Sequence, residues 1–551
     1  MPSPANLLIT NARVLTMDQT QPRAAAVAVA GEGIIYVGEA PGAAAFCGPD
    51  TRVVDAQGGS LLPGFIDSHC HLRMAAAELA NAPLEEVESL EDLKQALQRF
   101  ARENPAAPWI CGSHLRYAIL PGGGNPTRQH LDDIIADRPV ALMAYDYHTL
   151  WANSRALEMA GALHGGRTGP NSQIVMAADG LASGELREPA AYGRVLALTG
   201  AWGRAASSLI GVPATSPGPA ELAEDRALLR TGLALAARHG ITSLHNMDGD
   251  SRQMALLTAM EEASELIVRL YLPLSLGPEA PFEALEEAEA MRREQHGSRL
   301  RSGFVKLFMD GVLESWTALL LQDYADRPGW SGESLFSLED FTRLVAECDR
   351  RGLQVAVHAI GDGAVRRALD GFEAVQNQNG RRDSRHRIEH IELVHPDDLP
   401  RFARLGVIAS MQPLHLPTRE SDPWRQRAGQ ARWGHSFAWE SLRRAGARLV
   451  FGSDWPVVKP NPLLGIQTAL GRRPWASGLP DQRQDLAQAL AAYTCDAAFA
   501  EFQESRKGRI RPAMLADLVL LSDDLESVPI EDMSQTTPVM TVCGGRIVYE
   551  A

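Results

Sequence analysis

The chain has 551 residues, 45% hydrophobic and 22% charged, a composition that excludes extensive disorder and allows one large barrel plus a second module. Its formal charge of −15 works against binding to nucleic acid or anionic lipid, which needs clustered Lys and Arg, and points to a small-molecule substrate instead. The opening M-P-S-P-A-N-L-L-I-T lacks a basic region followed by an apolar one, no run is long enough to span a bilayer, and the six cysteines form no C-x-x-C pair, so a cytoplasmic protein with reduced thiols is expected.

In chain order, residues 1–60 read as short strands, L-L-I-T-N-A-R-V-L-T, A-A-V-A-V-A-G and G-I-I-Y-V-G, separated by Gly and acidic turns. Residues 505–551 return to that style in A-D-L-V-L-L and P-V-M-T-V-C-G-G-R-I-V-Y. The two ends are therefore expected to pair into one small β-sandwich domain, with 61–504 between its parts. That middle alternates strand-like and helix-period runs, the pattern of βα units on a parallel sheet. Eight strands are predicted: Leu61 to Asp67, Gly240 to His245, Ile267 to Leu274, Phe304 to Phe308, Leu353 to His358, Arg387 to Ile391, Val407 to Met411 and Arg448 to Gly452. They predict an α/β fold built on a (β/α)8 TIM barrel. The stretch 73–218 is too long for a βα loop, and predicts an inserted subdomain after the first strand, with its own helices and a strand near P-V-A-L-M-A-Y-D.

The segment L-L-P-G-F-I-D-S-H-C-H-L places His69 and His71 two residues apart at the end of an apolar run. In a strand of side-chain period two, both imidazoles leave one face and can bind one metal ion. Cys70 then points to the other face and packs. Active sites of such barrels form at the C-terminal ends of the strands. There also fall Lys306 in the fourth strand (F-V-K-L-F), His358 ending the fifth (V-A-V-H), His390 in the sixth (R-I-E-H-I) and Asp454 after the eighth (F-G-S-D-W-P). Singly, each could be a structural histidine or a capping aspartate. Their convergence on one barrel mouth points to a metal site.

This set, H-x-H, Lys, His, His and Asp on strands one, four, five, six and eight, resembles the metal-dependent amidohydrolase superfamily. N-P-T-R-Q-H-L-D, W-A-N-S-R-A-L, G-I-T-S-L-H, V-K-L-F-M-D-G, V-H-A-I-G-D, R-I-E-H and G-S-D-W-P resemble its amidohydrolase 3, or YtcJ-like, branch across essentially the whole chain. A hydroxide on a divalent cation is a competent nucleophile at neutral pH. The resemblance makes Asp454 the general acid/base, with His358 or His390 fixing the metal geometry. As an ammonium Lys306 cannot bind a cation; the resemblance implies that carbon dioxide carboxylates it and that the carbamate bridges two ions. A salt-bridged Lys306 above a single metal is the alternative. Zn2+ suits a His-rich site, with iron, manganese and nickel also open.

The expected activity is metal-dependent hydrolysis of a non-peptide C–N bond in an amide, N-formyl or carbamate-like compound. Deamination of a cyclic amidine is the alternative, but that class often carries an H-x-x-E helix after strand five, and H-A-I-G-D offers no glutamate there. A metal-free scaffold would be expected to lose ligands, and all six positions are retained. Trp316 and Trp455 are candidates for an apolar pocket wall or for packing, and His148 and His245 for reaching the substrate. Asn246 stands where the branch often has aspartate, and Asp362 reads equally as a helix cap. Similar enzymes are often dimers, and the resemblance implies a homodimer.

Overall fold

The computed structural model describes residues 4–169, 172–210, 217–294, 297–417 and 422–551; the extreme N-terminus, 1–3, and two pieces of the stretch read as an insert, 170–171 and 211–216, lie outside the described residues. Eight parallel strands lie side by side in chain order. They are β1 (Phe65–Cys70), β2 (Ile241–Asn246), β3 (Arg269–Ser275), β4 (Leu300–Phe308), β5 (Gln354–Ala359), β6 (Arg387–His390), β7 (Ile408–Met411) and β8 (Leu449–Phe451). Most are buried on both faces, which is why runs such as V-A-V-H lack polar alternation.

The barrel closes where β1 meets the segment after β8. Asp454 N donates to His69 O at 2.6 Å, and His71 N donates to Trp455 O at 2.6 Å. Asp67 ties the same seam, accepting from Ser453 N at 2.9 Å and Ser453 Oγ at 2.6 Å. Gly452 is required there, because a Cβ would stand 2.5 Å from His69 N. The residues that close the barrel thus flank the prospective ligands.

The connecting helices carry conventional signals. Leu338–Arg350, before β5, is capped by Ser337 Oγ, which accepts from Asp340 N, and has Glu339 and Asp340 in its first turn and Arg350 in its last, matching the helix dipole. Phe341, Leu344, Val345 and Cys348 form its buried stripe.

The expected first strand is divided. Pro63 and Gly64 break the apolar run, so that Ser60–Pro63 pairs with Leu518–Leu521 in another sheet and only Phe65–Cys70 enters the barrel. A Cβ on Gly64 would lie 2.3 Å from Thr242, which explains the glycine at this crossing. The six-stranded sheet joining the chain ends faces a four-stranded sheet from the N-terminal region, and Val14, Leu61, Leu518 and Val542 pack against Leu7, Ile9, Val27 and Val29 between them.

The insert is richer in strands than the one expected. Ala82–Pro83, Ile110–Leu115, Val140–Ala144, Thr149–Ala152, Ala182–Arg187 and Gln173–Met176 form a six-stranded sheet of mixed direction. Several of these strands are short, and Gly112 and Gly184 interrupt their apolar pattern. Among the described residues, no helix is long and apolar enough to cross a membrane.

Candidate metal centre

The side-chain period of β1 aims His69 and His71 into the barrel mouth, on either side of the buried Cys70. His69 Nε2 and His71 Nε2 each lie 3.2 Å from Asp454 Oδ1. His69 Nε2 and Asp454 Oδ1 are nevertheless buried without a hydrogen bond. Two ligand atoms about 2.1 Å from one tetrahedral cation would lie about 3.4 Å apart. The spacing therefore suits a shared cation, and His69, His71 and Asp454 together could hold one.

The opposite nitrogen of each imidazole meets a carboxylate. His69 Nδ1 is 2.6 Å from Glu389 Oε2, and His71 Nδ1 is 2.9 Å from Asp248 Oδ1. Such contacts orient each ring and leave Nε2 as the donor atom once a cation displaces its proton; burial opposes a charge on His71, but Asp248 and Asp454 outweigh it and raise the pKa to about 9. Burial would raise the Glu389 pKa, but the Arg387 guanidinium and His69 outweigh it and hold the carboxyl well below the usual range. Arg387 is itself held by Ser68 O, Ser410 Oγ and His245 Nδ1, so a buried network runs beneath the candidate ligands. Asn246 donates to Asp248 O and accepts from Leu72 N at 2.7 Å, thereby bracing the carboxylate that orients His71.

The second side of the mouth comes from β4 to β7. Lys306 is fully buried and its Nζ has no hydrogen-bond partner; burial lowers its pKa to about 8, against the pull of Glu389 and Asp454. His358 Nε2 is 3.1 Å from Gly311 O, which leaves Nδ1 as the free lone pair. Its ring lies 4.5 Å from that of His390. His390 Nδ1 is buried, unpartnered and 4.0 Å from Asp454 Oδ2. Burial, together with the cationic neighbour Lys306 for His358 and with His358 and His69 for His390, keeps both imidazoles well below their usual pKa and therefore neutral. His390 and Asp454 both take left-handed backbone, at φ +75° and +61°, an uncommon conformation for residues with side chains. Both side chains are delivered to the mouth by that turn of the backbone.

All six strand-end residues read from the sequence therefore gather in one cavity of about 650 Å3 or directly beneath it. Three of the four weaker candidates lie elsewhere. His245 is wholly buried beneath the centre, between Arg387 and Glu501 Oε1 at 3.2 Å, because the β2 pleat turns it towards the barrel interior rather than the mouth. Trp455 packs in the main core. Trp316 donates to Asp326, and the Arg427 guanidinium covers its ring at 3.8 Å. His148 does line the cavity, and its Nδ1 lies 2.7 Å from Glu188 Oε2. Burial opposes a charge on His148, but Glu188 and Asp146 outweigh it and raise the pKa to about 9. Asp362 accepts from Leu321 N at 2.9 Å and so anchors a loop.

Several residues around the centre were not singled out from sequence: Glu389, Asp248, Asp310, Glu392 and His415. Glu389 adjoins the R-I-E-H histidine and Asp248 follows the strand-two His-Asn pair, so proximity in sequence was an available signal. His415 follows β7, a strand that contributes no residue to the motif.

A closed parallel barrel whose mouth gathers several imidazoles, an aspartate and an unpartnered lysine defines a metal-dependent hydrolase of the barrel class. Residues 52–549 match the model of the amidohydrolase family, Amidohydro_3, and the chain belongs to it. It is thus an enzyme that acts on carbon–nitrogen bonds other than peptide bonds. The chain is 30% identical to the Protein LONG AFTER FAR-RED 3 of Arabidopsis thaliana, over 99% of this chain and 92% of that protein. It is 27% identical to the N-substituted formamide deformylase of Arthrobacter pascens, over 99% and 98%. A crystal structure of an uncharacterized metal-dependent hydrolase from Pyrococcus horikoshii matches with TM-score 0.73 at 26% identity, covering 95% of this chain and 99% of that one.

Proposed function

We propose that this amidohydrolase hydrolyses the amide, N-formyl or carbamate-like C–N bond of a small molecule, with two zinc ions and with Asp454 as general acid/base. The observation that carries this reading is the meeting of His69 Nε2 and Asp454 Oδ1, buried and without a hydrogen bond, beside the unpartnered Lys306 Nζ. When bound, the cations would polarise the substrate carbonyl and bring the pKa of a water towards about 7. His69, His71 and Asp454 would hold the first ion, and His358 and His390 the second.

Lys306 suits a bridging role only after modification. A buried ammonium without a partner is costly, and a deprotonated amine can add carbon dioxide, with loss of one N–H proton, to give an anionic carbamate with two oxygen donors. The lowered pKa of Lys306 favours the free amine that this addition requires.

Asp454 is placed to handle the proton. Its two oxygens face the two halves of the centre, and it lines the cavity. Burial would raise its pKa, but His69 and His71 outweigh that and keep it ionised. The carboxylate would take the proton of the attacking water and deliver it to the leaving nitrogen. His148, a cation on the cavity wall held by Glu188, would donate to a polar group of the substrate. The formamide deformylase relative supports placing N-formyl compounds first in a substrate panel.

Elemental analysis after purification without added metal, paired with hydrolysis of N-formyl and N-acyl amines before and after chelation, tests the reading. Two cations per chain and chelator-sensitive hydrolysis support it. Cation-independent turnover, or no hydrolysis by fully loaded enzyme, overturns it.

A further inference from the structure

We propose that His415 is a ligand of the second cation, acting with His390 and Asp454 and oriented by Glu392. The inference rests on the binuclear reading above and adds a residue from the turn after β7.

His415 ends the turn Pro413–His415, which follows β7 directly at the C-terminal mouth of the barrel. Its Nε2 is buried, makes no hydrogen bond, and lies 3.7 Å from Asp454 Oδ2. The His390 ring stacks against its own at 5.9 Å and 12°. His390 Nδ1 approaches the same Asp454 oxygen at 4.0 Å. One donor atom from each of His390, His415 and Asp454 falls within 4.8 Å of the others, as in the set His69, His71 and Asp454. Asp454 belongs to both sets and can offer one oxygen to each.

A carboxylate also stands on the far side of the ring, as at His69 and His71, but at a longer distance. Glu392 Oε1 lies 3.5 Å from His415 Nδ1, while Glu392 Oε2 accepts from Trp424 Nε1 at 2.6 Å. Glu392 and Trp424 are both buried, so this carboxylate is held in place rather than solvated. A carboxylate behind Nδ1 favours the tautomer whose lone pair is on Nε2, the atom that faces the centre. A histidine retained only for packing would need a hydrogen bond at that buried nitrogen. Direct ligation would give it a partner. A histidine reserved for the substrate would instead carry a proton on Nε2, and the cation measurements below separate that role from ligation.

The test compares wild type, His415→Ala and Glu392→Gln after reconstitution with Zn2+ or Co2+. It reads cation stoichiometry, chelator competition and the Co2+ ligand-field spectrum, with circular dichroism to check folding. Wild type is expected to hold two cations. His415→Ala should keep the first at wild-type affinity and hold the second at least about 100-fold more weakly, with added imidazole restoring it and the Co2+ spectrum. Glu392→Gln, which keeps the ligand, should weaken the second cation by about 10- to 100-fold. Two cations held at wild-type affinity with an unchanged spectrum in His415→Ala would overturn the assignment while leaving the binuclear reading intact. If His415→Ala does not fold, an undiminished second-site affinity in folded Glu392→Gln overturns the proposed arrangement. A wild type that holds one cation or none would overturn both.

Discussion

The two sides of the centre are built to different tolerances. On the β1 side, His69 and His71 each have a carboxylate 2.6 or 2.9 Å behind them and stand 3.2 Å from Asp454. On the other side, His390 and His415 stand 4.0 and 3.7 Å from the same aspartate, and Lys306 touches no hydrogen-bond partner. The first set is preorganised at ligand spacing. The second is wider, as expected of a site completed by a group that the unmodified side chains lack. The two cations should therefore be released in order, the second before the first.

Asp454→Asn should give the largest effect, because this residue serves both sides. Hydrolysis is expected to fall by about 10^2- to 10^4-fold while bound cation is still measured by elemental analysis. Near-normal turnover with metal present would remove Asp454 from proton transfer. Glu389→Gln disturbs the tight side alone. It leaves Arg387 buried without its charge partner, which should cost about 3–5 kcal/mol of stability, and should weaken the first cation by about 10- to 100-fold in a chelator titration. An unchanged first-cation affinity would mean that the Glu389 contact does not organise His69. Lys306→Ala acts on the wider side. The second cation should be lost, and short carboxylic acids should restore part of both binding and activity by replacing the carbamate oxygens. Retention of two cations by Lys306→Ala would show that no bridge from this lysine is needed.

The same contrast governs what could be read from the sequence. H-x-H, V-A-V-H, R-I-E-H and G-S-D-W-P were legible because each candidate ligand sits at or just past a strand end, the side of the barrel where sites form, although His390 and Asp454 owe their direction to left-handed backbone. The barrel was legible for a related reason, since strands buried on both faces read as apolar runs. The division at Pro63 and Gly64 was harder to read, because Leu61, Leu62, Phe65 and Ile66 are all buried while belonging to two different sheets. His415 was missed because it comes from an irregular turn, where spacing carries no direction. His245 misled in the opposite way, since a strand gave it a direction but not a height, and it lies beneath the centre.

A further prediction compares two buried carboxylates with different partners. Glu389 faces Arg387 and stays ionised, whereas Glu78 faces neutral groups, and burial raises its pKa to about 8. Burial outweighs the hydrogen bonds from Tyr147 and Ser113, which by themselves lower the pKa. Tyr147 Oη donates to Glu78 Oε2, and His114 Nε2 donates to Pro456 O at 2.5 Å. His114, whose pKa is lowered by burial, then turns its Nδ1 lone pair towards Glu78 Oε1 at 3.3 Å, where a protonated carboxyl can donate. The folded chain keeps this proton from about pH 4.5, where the unfolded chain releases it, up to about pH 8. Stability from this group is therefore complete below about pH 4.5, declines as pH rises towards 8 by about 1.4 kcal/mol per unit, and is constant above. In Glu78→Gln the amide donates to His114 and accepts from Tyr147 at every pH, so the variant should lack that decline. Denaturation midpoints of the two proteins should thus diverge between pH 5 and about 8, with the variant ahead at the alkaline end. Parallel midpoints across that range would mean that the Glu78–His114 pair keeps no such proton in the fold.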